Sequence, residues 1–361
     1  MPSWKFSYRK LRCVAETLLT ATAGALFFIW IGFPAGLIAG SVLAVAVAAL
    51  AGRPMTIPAP LARAVFVAIG ISLGAVVTPQ TLHGIVDWPV SIGIISISTI
   101  CMTLATMSYL RVVHRWDWLS ALYGGSPGGQ AQVLILAAEN DADLVGIVIV
   151  QTVRVIFLAV GIPAGLALFG LAASPTATLG MPTFGASLWE VALLIGVSTF
   201  TAYALQWLRF PAGMIFGAML GSGILHGGNF IHAALPWWVA SAAIVTLGAI
   251  TGARFANTSP RMLFGYFGAA LGSFAVAALT ATIFIALVVS IVPGRIADLV
   301  IAFAPGAQDT MMVLALSLNI DPIFVGAHQL VRYLIVSLSL PLIAHVIARN
   351  VAPPDQNDKA G

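Results

Sequence analysis

The chain has 361 residues, 60% of them apolar and only 8% charged, with a mean hydropathy of +1.02. A soluble domain carries about 25% charged residues, so this composition excludes a water-facing surface and defines an integral membrane protein. The net charge of +4 comes from basic residues scattered between apolar segments, which excludes a nucleic-acid interface and casts them as topology determinants.

In chain order, residues 1–13 form a basic cytoplasmic N-terminus ahead of an apolar run that starts at Val14. The arrangement has the form of a signal peptide. No small-x-small cleavage site follows, however, and the segment has a counterpart in the second half, which favours an uncleaved first helix. Six apolar segments then lie near 15–32, 35–52, 62–79, 89–110, 119–138 and 144–165, within a first membrane repeat spanning 14–171. A connection at 172–186 leads to a second repeat spanning 187–348, with segments near 187–207, 211–226, 237–253, 263–292, 297–318 and 323–347. Residues 349–361 are read as a cytoplasmic tail. Cys13 and Cys101 imply neither a disulfide nor a metal framework.

The halves are copies. FPAGLIAG at 33–40 recurs as FPAGMIFG at 210–217, an offset of 177, and Gly70 and Gly74 recur 178 positions later as Gly248 and Gly252. At that same offset and without a gap, Pro127 pairs with Pro305, Gly128 with Gly306, Gln130 with Gln308, Asp143 with Asp321, Gln151 with Gln329, Arg154 with Arg332 and Pro163 with Pro341. Apolar residues match by chance; Pro, Gly, Gln, Asp and Arg in one register do not.

The fifth segment of each half is interrupted, by GGSPGG at 124–129 and by APGA at 304–307. Such breaks persist in lipid only where the freed backbone is buried in protein or lines a cavity. If these segments are re-entrant, each repeat has five crossings and the repeats are inverted. The inside ends then carry Lys5, Arg9, Lys10, Arg12, Arg53, Arg63, Arg111, Arg115, Arg209, Arg254, Arg261, Arg349 and Lys359, against Arg295 alone outside. Six full crossings would move Arg209, Arg254 and Arg261 outside, so positive-inside bias favours the inverted arrangement.

Arg154 and Arg332 fall in the middle of apolar segments, where a charge costs several kcal/mol unless it faces a cavity or a partner. Each has a glutamine three residues earlier on the same helical face, Gln151 and Gln329. Two readings stay open: the arginines bind a ligand's negative group, or they pair with Asp309, Asp143, Asp321 or carbonyls freed by the breaks. Each break sits just before a helix restarts, and helix N-termini present unsatisfied N–H groups suited to an anion. Gly124, Gly125, Gly128, Gly129 and Gly306 would let a ligand approach the backbone. Ser126, Gln130, Gln132, Gln308 and Thr310 would offer neutral hydrogen bonds. Asp309, whose repeat partner is Ala131, is either an ion-coupling carboxylate or a counter-ion for an arginine. Asp143 and Asp321 precede helices and read as N-caps, with Glu139 and Asp141 at the same solvated corner, while Glu16 and Glu190 sit near helix starts. No histidine spacing suits a metal, no catalytic set is visible, and no GxxxxGK loop supplies ATP binding.

At the paired PGGQ and PGAQ blocks, each continued by D, Q, R and P at matching spacing, and at the paired FPAG turns, the sequence resembles the membrane AbrB family over nearly its whole length. Members of that family consist of two copies of such a unit. The resemblance implies an all-α, secondary-carrier-like fold of two inverted repeats, each of about five transmembrane helices plus a broken or re-entrant helix. The wider relatives are carriers of the cation/proton antiporter and bile-acid type. Family labels range from ammonia monooxygenase to regulator. The first would need a histidine-rich metal site and a DNA-binding regulator would need a soluble domain, and the residues offer neither.

The expectation is therefore a non-enzymatic secondary transporter of a small organic anion in a bacterial-type inner membrane, with no metal and no cofactor beyond a coupling H+ or Na+. Its partners would be the anionic substrate, the bilayer and a second copy in a homodimer, and not nucleic acid. The alternative is a membrane-embedded sensor that binds the ligand and regulates gene expression indirectly; a channel comes third.

Overall fold

The computed structural model describes residues 8–77, 88–171, 188–256, 258–292 and 294–351. The connection expected at 172–186 lies outside them. Among the described residues the structure is all-helical, with no strand. The first half comprises α1 (Tyr8–Trp30), α2 (Gly36–Leu50), α3 (Ala59–Gly74), α4 (Pro89–His114), α5 (Trp118–Gly125), α6 (Gln130–Glu139) and α7 (Leu144–Leu168). The second comprises α8 (Leu188–Trp207), α9 (Gly213–Gly227), α10 (Trp237–Gly252), a 3-10 turn (Ala253–Phe255), α11 (Pro260–Ile291), α12 (Ile296–Phe303), α13 (Gln308–Ser317) and α14 (Pro322–Val351). Each of the twelve apolar segments becomes a helix, with the fifth of each half split in two. The first helix, α1, begins at Tyr8 and carries the basic residues Lys10 and Arg12 in its first turns.

Among the described residues seven helices are long and apolar enough to cross a membrane: α1, α4, α7, α8, α10 with its 3-10 turn, α11 and α14. The shorter apolar helices α2, α3 and α9 complete five per half.

Local chemistry sets the helix ends. Pro opens the first turns of α3, α4 and α11, where its missing N–H costs nothing. Asp117 caps α5 by accepting from the Ser120 N–H at 2.8 Å. Asp143 caps α7 through the Gly146 N–H at 3.1 Å, and Asp321 accepts from the Phe324 N–H at 3.1 Å at the start of α14. The two FPAG turns adopt one geometry: Ala35 and Ala212 precede α2 and α9 with φ of 52° and 46°.

Packing sorts the helices into two bundles. In one, α1 packs on α2, α2 on α10, α10 on α3, α3 on α9 and α9 on α8; in the other, α4, α7, α11 and α14 surround the broken segments. Glycine lets the first bundle close. A Cβ on Gly70 or Gly74 of α3 would stand 2.4 Å from the Ile215 or Met219 carbonyl oxygen of α9, and one on Gly252 of α10 would stand 2.6 Å from the Val42 oxygen of α2. Helix backbones in direct contact are the small-residue packing that drives association in lipid, where no hydrophobic force separates helix from solvent.

Each broken segment turns back on itself. The Ser120 hydroxyl at the start of α5 accepts from the Asp143 N–H at 2.8 Å, just past the end of α6. The Asp298 carboxylate at the start of α12 accepts from the Asp321 N–H at 3.4 Å, just past α13. Both pairs occupy equivalent repeat positions.

Candidate functional site

The two deep arginines are held by backbone. Arg154 of α7, 3% exposed, donates from Nη2 to the Ser126 carbonyl at 2.7 Å and from Nη1 to that of Gly125 at 3.4 Å. Its neighbour Gln151 donates to the Tyr123 carbonyl at 2.9 Å. In the second half Arg332 of α14, 1% exposed, donates to the carbonyls of Ala304 and of Ala302, the latter at 3.0 Å, and to Gln329 Oε1 at 3.3 Å. Gln329 donates to the Ile301 carbonyl at 3.2 Å. In both halves the arginine and glutamine therefore cap the C-terminal end of the first half-helix, α5 or α12, satisfying carbonyls that a break leaves without N–H partners. Of the readings open from the sequence, the one with freed carbonyls describes these contacts. The deep carboxylates do not reach either arginine: Asp143 accepts from the Tyr266 hydroxyl at 2.8 Å, and the cation beside Asp309 is Arg254.

A cavity of about 640 Å³ lies between the two bundles. The broken-segment bundle contributes Gly128, Gly129, Gln130, Gln151, Arg154, Val155, Gly306, Ala307, Gln308, Asp309 and Tyr333. Facing them are Arg63 and Phe66 of α3, Tyr203, Gln206 and Trp207 of α8, Ala212 before α9, Met214 and Ile215 of α9, and Arg254 of the 3-10 turn. Exposed Arg63 and Trp207, the latter 84% exposed, mark its open mouth.

Both second half-helices, α6 and α13, begin on this cavity, and neither has a side-chain N-cap. The first break makes its turn with Gly128 and Gly129 at φ of 88° and 62°, so both need glycine. The second uses Pro305 and extended residues instead, with Ala307 at φ of −71°. Gly124 and Gly125 serve packing, because a Cβ there would meet Trp116 at 3.0 Å or Thr106 Oγ1 at 2.7 Å.

Of the residues expected at the site, Gly128, Gly129, Gln130, Gln151, Arg154, Gly306, Gln308 and Asp309 come together on the cavity. Ser126, Arg332 and Gln329 do not line it. Ser126 is buried with its hydroxyl on the Tyr123 carbonyl. Gln132 accepts from Ser337 of α14 at 2.5 Å, and Thr310 donates its N–H to Asp309 at 2.9 Å.

Sequence reasoning missed Arg254. It stands at the end of an apolar segment, where an arginine reads as a topology signal, yet it reaches the cavity from the facing bundle. Its Nη1 donates to Gln130 Oε1 and its Nη2 lies 3.8 Å from Asp309 Oδ2, so one guanidinium touches the first turn of both α6 and α13. Three arginines and one aspartate line the cavity, an excess of positive charge to which both helix N-termini add. Among the described residues no group of His, Cys, Asp and Glu suits a metal ion.

The family model described as "Transition state regulatory protein AbrB" matches residues 37–348. A Bacillus subtilis (strain 168) protein printed as "Uncharacterized protein YhjN" is 28% identical over 294 residues, covering 76% of this chain and 75% of its own. An Escherichia coli (strain K12) protein printed as "Putative regulator AbrB" is 26% identical over 356 residues, covering 93% of this chain and 95% of its own. No solved structure matches the chain. With its apolar spans and a family match over most of its length, the chain is an integral membrane protein and belongs to the membrane AbrB family.

Proposed function

We propose that the protein is a secondary carrier of a small organic anion that works by alternating access. The observation that carries the reading is the cavity: it sits between two helix bundles, at the point where two broken helices present uncapped N-termini beside an excess of arginine. A ligand held between two bundles is exposed to one side or the other as the bundles rock. The first bundle, with backbones in contact at its glycines, is the scaffold. The bundle of broken segments is the moving part.

The same reading makes the repeats inverted. Five apolar helices per half, plus a segment clasped at its ends by Ser120 with Asp143 or Asp298 with Asp321, favour two re-entrant hairpins entering from opposite faces. With the N-terminus in the cytoplasm, the ends of α8 and α10 and the start of α3 lie inside. Gln206, Trp207, Arg254 and Arg63 at the cavity mouth belong to those ends, so this conformation is inward-open. Asp309 is the site of a coupling H+ or Na+. Relatives in Bacillus subtilis and Escherichia coli support a bacterial plasma-membrane location.

The test is thermal melting of the purified protein with a panel of carboxylates and sulfonates, followed by uptake of any hit into proteoliposomes. A ligand at 100 times its Kd stabilises by about 2.7 kcal/mol, which a melting curve resolves. Binding without uptake would replace the carrier with the sensor reading. Absence of any anion response would overturn both.

A further inference from the structure

The internal duplication separates what both copies need to fold from what only one copy has acquired. Arg154, Arg332, Gln151 and Gln329 obey it and cap half-helices. Among the cavity residues that break it are one acid and one base: at offset 178, Asp309 corresponds to Ala131 and Arg254 to Val76. These two departures, far apart in sequence and in different bundles, stand side by side, 3.8 Å between Nη2 and Oδ2.

We propose that Arg254 receives the negative group of the ligand, that Asp309 is the internal carboxylate against which this group competes, and that the ligand is a carboxylate with an apolar body. The proposal rests on the carrier reading's assignment of the cavity as the ligand site, and it names the residue and the chemical class.

Four observations carry it. First, Arg254 is the accessible cation beside Asp309: its side chain is 25% exposed and that of Asp309 16%, whereas the Nη groups of Arg154 are buried on carbonyls and the exposed Arg63 stands at the mouth. Second, the Arg254–Asp309 contact is loose. At 3.8 Å it is longer than the roughly 2.7–2.9 Å of a charge-assisted hydrogen bond, so a free carboxylate docking bidentately makes the better bond. Third, the cavity lining holds a donor still unused: Arg154 Nε, on a side chain 3% exposed, has no hydrogen-bond partner among the described residues. Fourth, the facing wall carries an apolar stretch, with Phe66, Met214 and Ile215, and about 640 Å³ far exceeds the roughly 30 Å³ of a water-sized ion. A lone inorganic anion would leave that wall unused; a chain or ring of several carbons covers it.

The experiment measures melting shifts of the full-length protein in detergent with the potassium salts of chloride, acetate, hexanoate and phenylacetate, on wild type, Arg254→Gln, Arg254→Lys and Asp309→Asn. Hexanoate or phenylacetate should stabilise wild type at lower concentrations than acetate or chloride. Arg254→Gln should weaken that affinity about tenfold or more, which is about 1.4 kcal/mol, and Arg254→Lys by less. Asp309→Asn should tighten it, because the competitor is gone. This last outcome keeps the proposal testable even if Arg254→Gln fails to fold. If wild type binds hexanoate or phenylacetate but Arg254→Gln binds equally well, or Asp309→Asn weakens binding, the assignment falls and the carrier reading stands. If chloride or acetate outperforms both, the apolar-body class falls. If wild type responds to no anion, the reading beneath the proposal falls with it.

Discussion

Two kinds of arginine occupy the middle of this protein, and they differ in what surrounds the guanidinium. Arg332 and Arg154 lie at equivalent positions of the repeat, are 1% and 3% exposed, and spend their Nη groups on carbonyls of the preceding half-helix. Arg254 is unique to one repeat, is 25% exposed, and stands between Gln130 and Asp309. A charge placed deep in lipid invites a functional reading. Here the deepest charges satisfy the backbone that the helix breaks expose, and the charge nearer the surface keeps part of its guanidinium accessible.

The comparison breaks or holds on stability measurements. Arg332→Ala should cost the most, about 3–5 kcal/mol, because it opens a hole and strands the Ala302 and Ala304 carbonyls; equilibrium unfolding in mild detergent measures it. Arg154→Ala should cost less, about 2–3 kcal/mol, since its side chain borders the cavity and water can reach the freed groups. Gly128→Ala, at a φ of 88°, should cost about 1–2 kcal/mol, while Gly306→Ala, outside the left-handed region, tests whether the two breaks differ as their turns do. Arg254→Gln should cost least, about 0.5 kcal/mol, since its ion pair is long and partly solvated. If Arg254→Gln proves as damaging as Arg332→Ala, the division between the two kinds of arginine is wrong.

Most of the architecture was legible because lipid enforces it. Twelve apolar runs had to become helices, Pro and Gly at 124–129 and 304–307 had to interrupt two of them, and an ungapped offset of 178 tied the halves together. The N-caps at Asp143 and Asp321 were legible from their position before an apolar run. The partners of Arg154 and Arg332 were legible only as one of two readings, because a ligand's negative group and carbonyls freed by a break call for the same buried cation. Arg254 was not: at the end of an apolar segment, a topology arginine and a cavity arginine look alike. Its departure from the repeat was the available signal, and Asp309, recognised by that same departure, is the residue it meets.

The glycine-packed bundle also has a consequence for the membrane itself. Helices α2, α3 and α9 have 15, 16 and 15 residues, which at 1.5 Å per residue gives about 22–24 Å, against a hydrocarbon core of about 30 Å. Where such short elements face lipid, local thinning of the bilayer is one way the mismatch is met. The cavity is bordered by the start of α3 and the start of α9, so the ligand of the proposed carrier would sit against this short part of the bundle.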